Sequence, residues 1–222
     1  MPLHPRYSAP AKWLAEDYKG IMSSPVLDRL AHFVETQARP VDKFGHQPRL
    51  IELTRLIGAD IPHDCEIVAA AAWLHDLGVF VGHRPDNPEE LAHWDHVAYA
   101  CSHVPGILRQ MEFPEGKIPG VLTCFRQHQP GDEPQTIEAT ILRDADILEQ
   151  LGAIGILRAV SKVGRDTRFP RFTDAVAVLR RNVEDLPGKL RLESARRLAA
   201  SRIAILQQFL QAIHDESGAN LL

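Results

Sequence analysis

Cysteine is scarce in this chain. The three, Cys65, Cys101 and Cys124, lie far apart and form no CxxC pair. That excludes a disulfide framework or a cysteine-rich zinc site as the basis of the fold, and it makes a reducing, cytoplasmic setting the expectation. Long apolar runs are missing as well. Nothing approaches the ~20 residues that a membrane span needs. The opening stretch, MPLHPRYSAPAKWLAEDYKG, is polar and proline-broken where a signal peptide would be apolar. There is no basic excess, since 25 Lys and Arg face 29 Asp and Glu for a net charge of −4. This argues against a dedicated nucleic-acid binder, as does the lack of a basic stripe interleaved with aromatics. A phosphate pocket, by contrast, needs only a few local cations. No run alternates as a strand would, and no repeat or low-complexity tract is visible.

What is present reads as helix after helix. Ser23-Ser24-Pro25 is a start signal, followed by the apolar stripe Val26, Leu27, Leu30, Phe33 and Val34. Pro48 opens a second helix that ends near Gly58. Asp64 caps a third, DCEIVAAAAWLHDLG, closed by Gly78, and its near-continuous apolar character marks it as central and buried. VGHRPDNPEE reads as a polar loop, LAHWDHVAYACSHV as a helix broken by Pro105, and IPGVLTCFRQH as a further helix. After the turn-rich QPGDEPQ come TIEATILRDADILEQLG and AIGILRAVSKVG, then a loop, RDTRFPRF. Leu192, Ala195, Ala199, Ile203, Leu206, Phe209, Leu210 and Ile213 predict a closing amphipathic helix. The expected architecture is all-α: an N-terminal segment (1–23), a core (24–165) and a helical extension (166–222) packed on it.

Eleven histidines is a high count for 222 residues. His4 and His214 lie near the termini and read as solvated, while His32, His63, His83 and His103 have no partner legible in sequence. His75 and Asp76 differ. They end a buried apolar helix, and an imidazole beside a carboxylate there must both be satisfied. A divalent metal does so with nitrogen and oxygen ligands. The plain alternative is a hydrogen-bonded core histidine beside an aspartate that binds a local amide.

Upstream stands His46, in HQPR; downstream stands ILRDADILEQLGAIGILRA. The series His, then His-Asp, then a distant Asp resembles the H…HD…D signature of the HD-domain superfamily of metal-dependent phosphohydrolases. HDLG, DADILEQLGAIGI and the closing LPGKLRLESARRLAASRIAILQQFLQAIHDE are similar to elements of a small stand-alone bacterial subfamily, so the likeness runs from about residue 24 to about residue 216. It implies a multi-helix bundle around one divalent metal (Mn, Fe, Co, Ni, Zn or Mg) held by His46, His75, Asp76 and Asp146, with a second metal left open. The family's last ligand follows an alanine, as Asp146 follows Ala145; Asp144 is the alternative. His96 and His128, with Asp76, are the implied catalytic groups, and His93 is a lesser candidate. Lys43 and Arg49 are candidate phosphate contacts, with Arg126 and Arg143 behind them, and Arg158 matches a position that the subfamily often fills with Arg.

The implied reaction is hydrolysis of a phosphate ester or pyrophosphate bond, by metal-activated water, in a nucleotide or another small phosphorylated metabolite. Two other functions fit the same scaffold: hydration of a small non-phosphate substrate such as a nitrile, and a silent nucleotide sensor. A homo-oligomer is left open. The chain departs from its likenesses at RPVDKFGH, before the first ligand, and after HDLG, where no second HD and no GYP follow. The latter argues against the cyclic-di-nucleotide branch.

Overall fold

The structure, a computed structural model, describes residues 24–166 and 168–218. The N-terminal segment 1–23, and His4 with it, lies outside the described residues. Among the described residues, ten α-helices and four short 3-10 turns make up the regular structure, and no strand occurs. The all-α architecture is therefore the one that the sequence predicts.

The helix α1 (Pro25–Gln37) buries Leu27, Leu30 and Val34. It packs on α3 (Cys65–Leu74), which also touches α2 (His46–Gly58), α6 (Ile118–Arg126) and α7 (Ile137–Glu149). Asp64 starts α3 by accepting the amides of Glu66 and Ile67. Val68 to Leu74 are all buried, and four consecutive alanines let the neighbouring helices approach from every side. The pair α2 and α7 lies against one flank of α3, so the central helix delivers its end between them.

The chain then folds back on itself. Helix α8 (Gly152–Val160) reverses from the end of α7, and Gly152 makes the turn possible with a φ of 68°, a left-handed conformation. Helices α9 (Phe172–Asp185) and α10 (Glu193–Ser217) pack on α8, and α10 reaches back to α7 and α2. The buried Arg143 ties this layer together by donating to the carbonyls of Gln129, Pro130 and Lys189. It is a structural clamp and not the phosphate contact considered from sequence.

Several boundaries differ from the sequence expectation. Helix α2 begins at His46, two residues before Pro48, because a proline in the first turn sits where backbone N–H groups lack intrahelical partners anyway. Helix α3 stops at Leu74 instead of running to Gly78. Helix α5 (His96–Gln110) runs straight through Pro105, since Ala100, Val104 and Leu108 bury one continuous stripe on both sides of it. The polar loop holds a short helix, α4 (Pro88–Ala92), capped by Asn87. His93 ends α4 while His96 starts α5, so the two do not share a helix face. Helix α9, which buries Ala175 and Leu179, was not legible.

Candidate metal centre

The backbone presents His75 and Asp76 by ending a helix at the right place. His75 caps α3, its amide still bonded to the Ala71 carbonyl at 2.9 Å. Asp76 takes φ −94° and ψ 11°, the sparsely populated bridge region, before a 3-10 turn at Leu77–Val79. The two side chains thus leave the helix end together. From one side, the first turn of α2 contributes His46; from the other, the last turns of α7 contribute Asp146.

The donor atoms converge. His46 Nε2 lies 3.4 Å from His75 Nε2, 3.5 Å from Asp146 Oδ1 and 3.8 Å from Asp76 Oδ2. His75 Nε2 lies 3.6 Å from Asp76 Oδ1. Ligands ~2.1 Å from one ion stand ~3.0–3.6 Å apart, so the spacing suits a shared cation. His128 joins from just beyond α6; its Nε2 or Nδ1, His75 and Asp76 offer ligand atoms within 4.8 Å of one another. The His75 and His128 rings meet edge to face at 5.1 Å, and His96 stands 6.1 Å from His128.

Hydrogen bonds set the tautomers. His75 Nδ1 faces the Ala72 carbonyl at 3.2 Å, and His128 Nδ1 faces the Phe125 carbonyl at 2.7 Å. A carbonyl only accepts, so both Nδ1 atoms carry the proton and both Nε2 atoms present lone pairs. His46 Nδ1 lies between the Glu149 carboxylate at 3.2 Å, which accepts, and the Arg158 guanidinium at 2.8 Å, which only donates, so its two neighbours favour opposite tautomers; Arg158 also donates to that carboxylate at 3.3 Å. The buried His46 and His75 rings therefore bring their Nε2 atoms within 3.4 Å of each other, with two carboxylates alongside. Two imidazole nitrogens and two carboxylates at this spacing are the donor set that a divalent cation takes, so the residues fit such a metal.

Electrostatics agree with this. Burial pushes the His75 pKa down to about 4, despite the opposing pull of Asp76, so the ring is neutral and ligand-ready at pH 7. Burial would raise Asp76, but His75, His46, His128 and Arg158 outweigh it and hold the carboxyl well below its usual range. Burial also lowers His96, against Asp76.

The residues expected from sequence are placed as follows. His46, His75, Asp76, Asp146 and His128 form one cluster. His96 stands at its edge, brought in because α5 begins against Gly78. A Cβ on Gly78 would sit 2.7 Å from the His96 carbonyl oxygen, and Trp94 Nε1 donates to the Gly78 carbonyl at 2.7 Å. Asp144 is elsewhere: its buried carboxylate accepts the amides of Arg191 and Leu192, at the start of α10. Arg49 and Arg158 converge on Glu149 behind His46, Lys43 is half-buried three residues before His46, and Arg126 is exposed at the end of α6. His93 is exposed. His83 bonds Tyr99 and Gln37, and His103 stacks on Tyr99, both away from the centre.

Glu149 is the functional residue that sequence reasoning passed over. Fully buried, it orients His46 and gathers Arg49 and Arg158. Burial raises its pKa, but the bonds from His46 and Arg49 bring it down to about 2. The signal was available, since Glu149 lies three residues after Asp146 and so on an adjacent helix face. Glu149→Gln is expected to lower metal affinity ~10–100-fold by leaving the His46 ring unaligned. A titration of the apo-protein with Mn²⁺ that gave the parental affinity would remove Glu149 from this role.

Three comparisons bear on this geometry. Residues 44–151 match the model of the HD domain family. Ribonuclease Y of Desulforamulus reducens is 28% identical over 103 residues, 46% of this chain. The match covers 17% of that protein's length. Among solved structures, YpgQ of Bacillus subtilis superposes with a TM-score of 0.70 at 23% identity, covering 87% of this chain and 97% of YpgQ. The YpgQ complex with ADP gives 0.69 at 23%, over 86% and 94%. A predicted HD superfamily hydrolase from an uncultured Thermotogales bacterium gives 0.63 at 23%, over 89% and 97%. At these identities the structural likeness shows a shared fold.

Proposed function

We propose, from the premise that this chain carries an HD domain over residues 44–151, that it is a metal-dependent phosphohydrolase. Its substrate is a nucleotide or another small phosphorylated metabolite, cleaved at a phosphate ester or pyrophosphate bond. The observation that carries the reading is the convergence of two imidazole nitrogens and two carboxylates next to the cations Arg49 and Arg158. His46, His75, Asp76 and Asp146 would hold one divalent cation. When bound, such a cation lowers the pKa of water toward neutrality and polarises a phosphoryl oxygen.

The chain's own residues supply the rest. Glu149, 3.2 Å from His46 Nδ1, holds that ring in position. His128, its Nδ1 proton committed to Phe125, exchanges protons only at Nε2, facing the cluster. His96, partly exposed beside it, is placed to pass a proton between that edge and solvent. YpgQ, which shares the fold, has been crystallised with ADP, and that supports a nucleotide as the ligand class.

With Mn²⁺, Co²⁺, Ni²⁺ or Mg²⁺ added, the purified protein is expected to release phosphate or pyrophosphate from at least one nucleotide. A chelator should abolish the release and excess metal restore it. Tight nucleotide binding with no turnover across a broad panel would instead make the chain a sensor.

A further inference from the structure

His83, for which the sequence shows no partner, is gripped at both ring nitrogens in the structure. Its Nε2 lies 2.9 Å from Gln37 Oε1, at the end of α1, and its Nδ1 lies 2.9 Å from the Tyr99 hydroxyl. Gln37 Nε2 donates to Thr36 Oγ1 at 3.3 Å, which turns the amide oxygen toward His83. That oxygen only accepts, so His83 Nε2 carries the ring proton and Nδ1 accepts from Tyr99. Tyr99 stands in the first turn of α5, three residues after His96. Its ring stacks on His103 at 3.9 Å between centres and meets Trp94 at 5.3 Å.

Trp94 carries the series on to the metal centre. Its indole N–H donates to the Gly78 carbonyl at 2.7 Å. Gly78 comes two residues after Asp76, in the 3-10 turn Leu77–Val79, where the Val79 amide bonds the Asp76 carbonyl at 2.9 Å. The backbone of His96 rests on the same glycine. A Cβ on Gly78 would lie 2.7 Å from the His96 carbonyl oxygen and 2.9 Å from its Cα. Contacts thus run unbroken from α1 through His83, Tyr99 and Trp94 to the turn that follows Asp76, and His96 lies in the chain between Trp94 and Tyr99. The His96 ring meets His128 at 6.1 Å between centres and makes no hydrogen bond among the described residues. Its place at the centre is therefore set by where its backbone is held.

We infer that Tyr99 and Trp94 are positioning residues, which with His83 fix His96 against the turn after Asp76. The inference rests on the phosphohydrolase reading, in which His96 passes a proton at that edge, and it adds the side chains that put His96 there. Misplacing such a group by ~1 Å can cost about 10²-fold in rate.

Tyr99→Phe tests this, since it deletes the hydroxyl and keeps the ring against Trp94 and His103. One readout is the His96 ring signal in the NMR spectrum of ¹³C-histidine-labelled, Mg²⁺-loaded protein. The other is steady-state hydrolysis of ADP with Mn²⁺. In Tyr99→Phe the His96 signal should move and kcat should fall about tenfold, with KM and metal content unchanged. His83→Leu should repeat the loss, and His83→Gln, which keeps one acceptor and one donor, should restore most of it. In a His96→Gln background, Tyr99→Phe should cost nothing more, because effects that pass through one residue do not add. An unmoved His96 signal, or losses that multiply, would overturn the inference and leave the phosphohydrolase reading standing. Absence of ADP turnover in the parental chain would count against that reading instead. The His96 signal in Tyr99→Phe then decides alone, a shift upholding the positioning role and no shift overturning it.

Discussion

Asp76→Ala is expected to strip the protein of its metal and to lower turnover by more than the ~10–100-fold that follows loss of a residue merely orienting a ligand. The expectation follows from position. Asp76 lies in the bridge region just after α3, within 3.6 Å of His75 Nε2 and 3.8 Å of His46 Nε2. Its removal takes one negative charge from the site, and a divalent cation there would be left under-compensated. The side chain is partly exposed, so the cost in fold stability is small beside the loss of metal. His75→Ala should likewise release the metal, but it also opens a cavity in a fully packed region and adds a destabilisation that must be measured separately. Elemental analysis of the two single variants and the double variant decides the matter. Full metal occupancy in His75→Ala/Asp76→Ala would refute the assignment of this centre.

The pair Asp146→Asn and Asp144→Asn should separate metal from fold. Residues two apart on a helix point ~200° apart, and the structure shows both directions. Asp146 reaches His46 at 3.5 Å, whereas Asp144 is fully buried and accepts amides of residues 191 and 192. Asp146→Asn is expected to abolish turnover and weaken metal binding. Asp144→Asn should keep the metal and lower unfolding stability by about 2 kcal/mol, because a charged acceptor shared by two backbone amides becomes a neutral one. Metal content and urea denaturation on the same preparations give the two readouts. The reverse ranking would make Asp144 the ligand.

Much of the site was legible because its residues are marked by type and neighbourhood. A histidine-aspartate pair ending an apolar helix stands out against nearly any background, and Asp146 follows the stripe of Ile141, Leu142 and Ala145, which the structure buries entirely. The choice between Asp144 and Asp146 was not available from periodicity, because both border that stripe. The helix ends were obscured by proline, whose local meaning depends on whether the lost N–H had a partner: Pro48 and Pro105 both lie inside helices. Helix α9 escaped because the residues around its fully buried Ala175 and Leu179 are valines, Val176, Val178 and Val183, whose β-branched side chains suit a strand as well as a helix. Glu149 escaped although its spacing from Asp146 was there to read: charged residues are usually solvated, and the fold buries this one behind His46.

The span between His46 and Asp146 has a consequence for how the protein is made. A ribosome adds residues at ~5–20 per second, so roughly 5–20 s separate the emergence of the first donor from that of the last. During that interval His46, His75 and Asp76 exist without the helix that completes the set, and without Glu149 to hold the His46 ring. A nascent chain at that stage offers free imidazoles to any passing metal but no shaped cradle to choose among metals. Were this cluster to take an ion, its selection would fall after release of α7 from the ribosome, when α2 and α7 close on the end of α3.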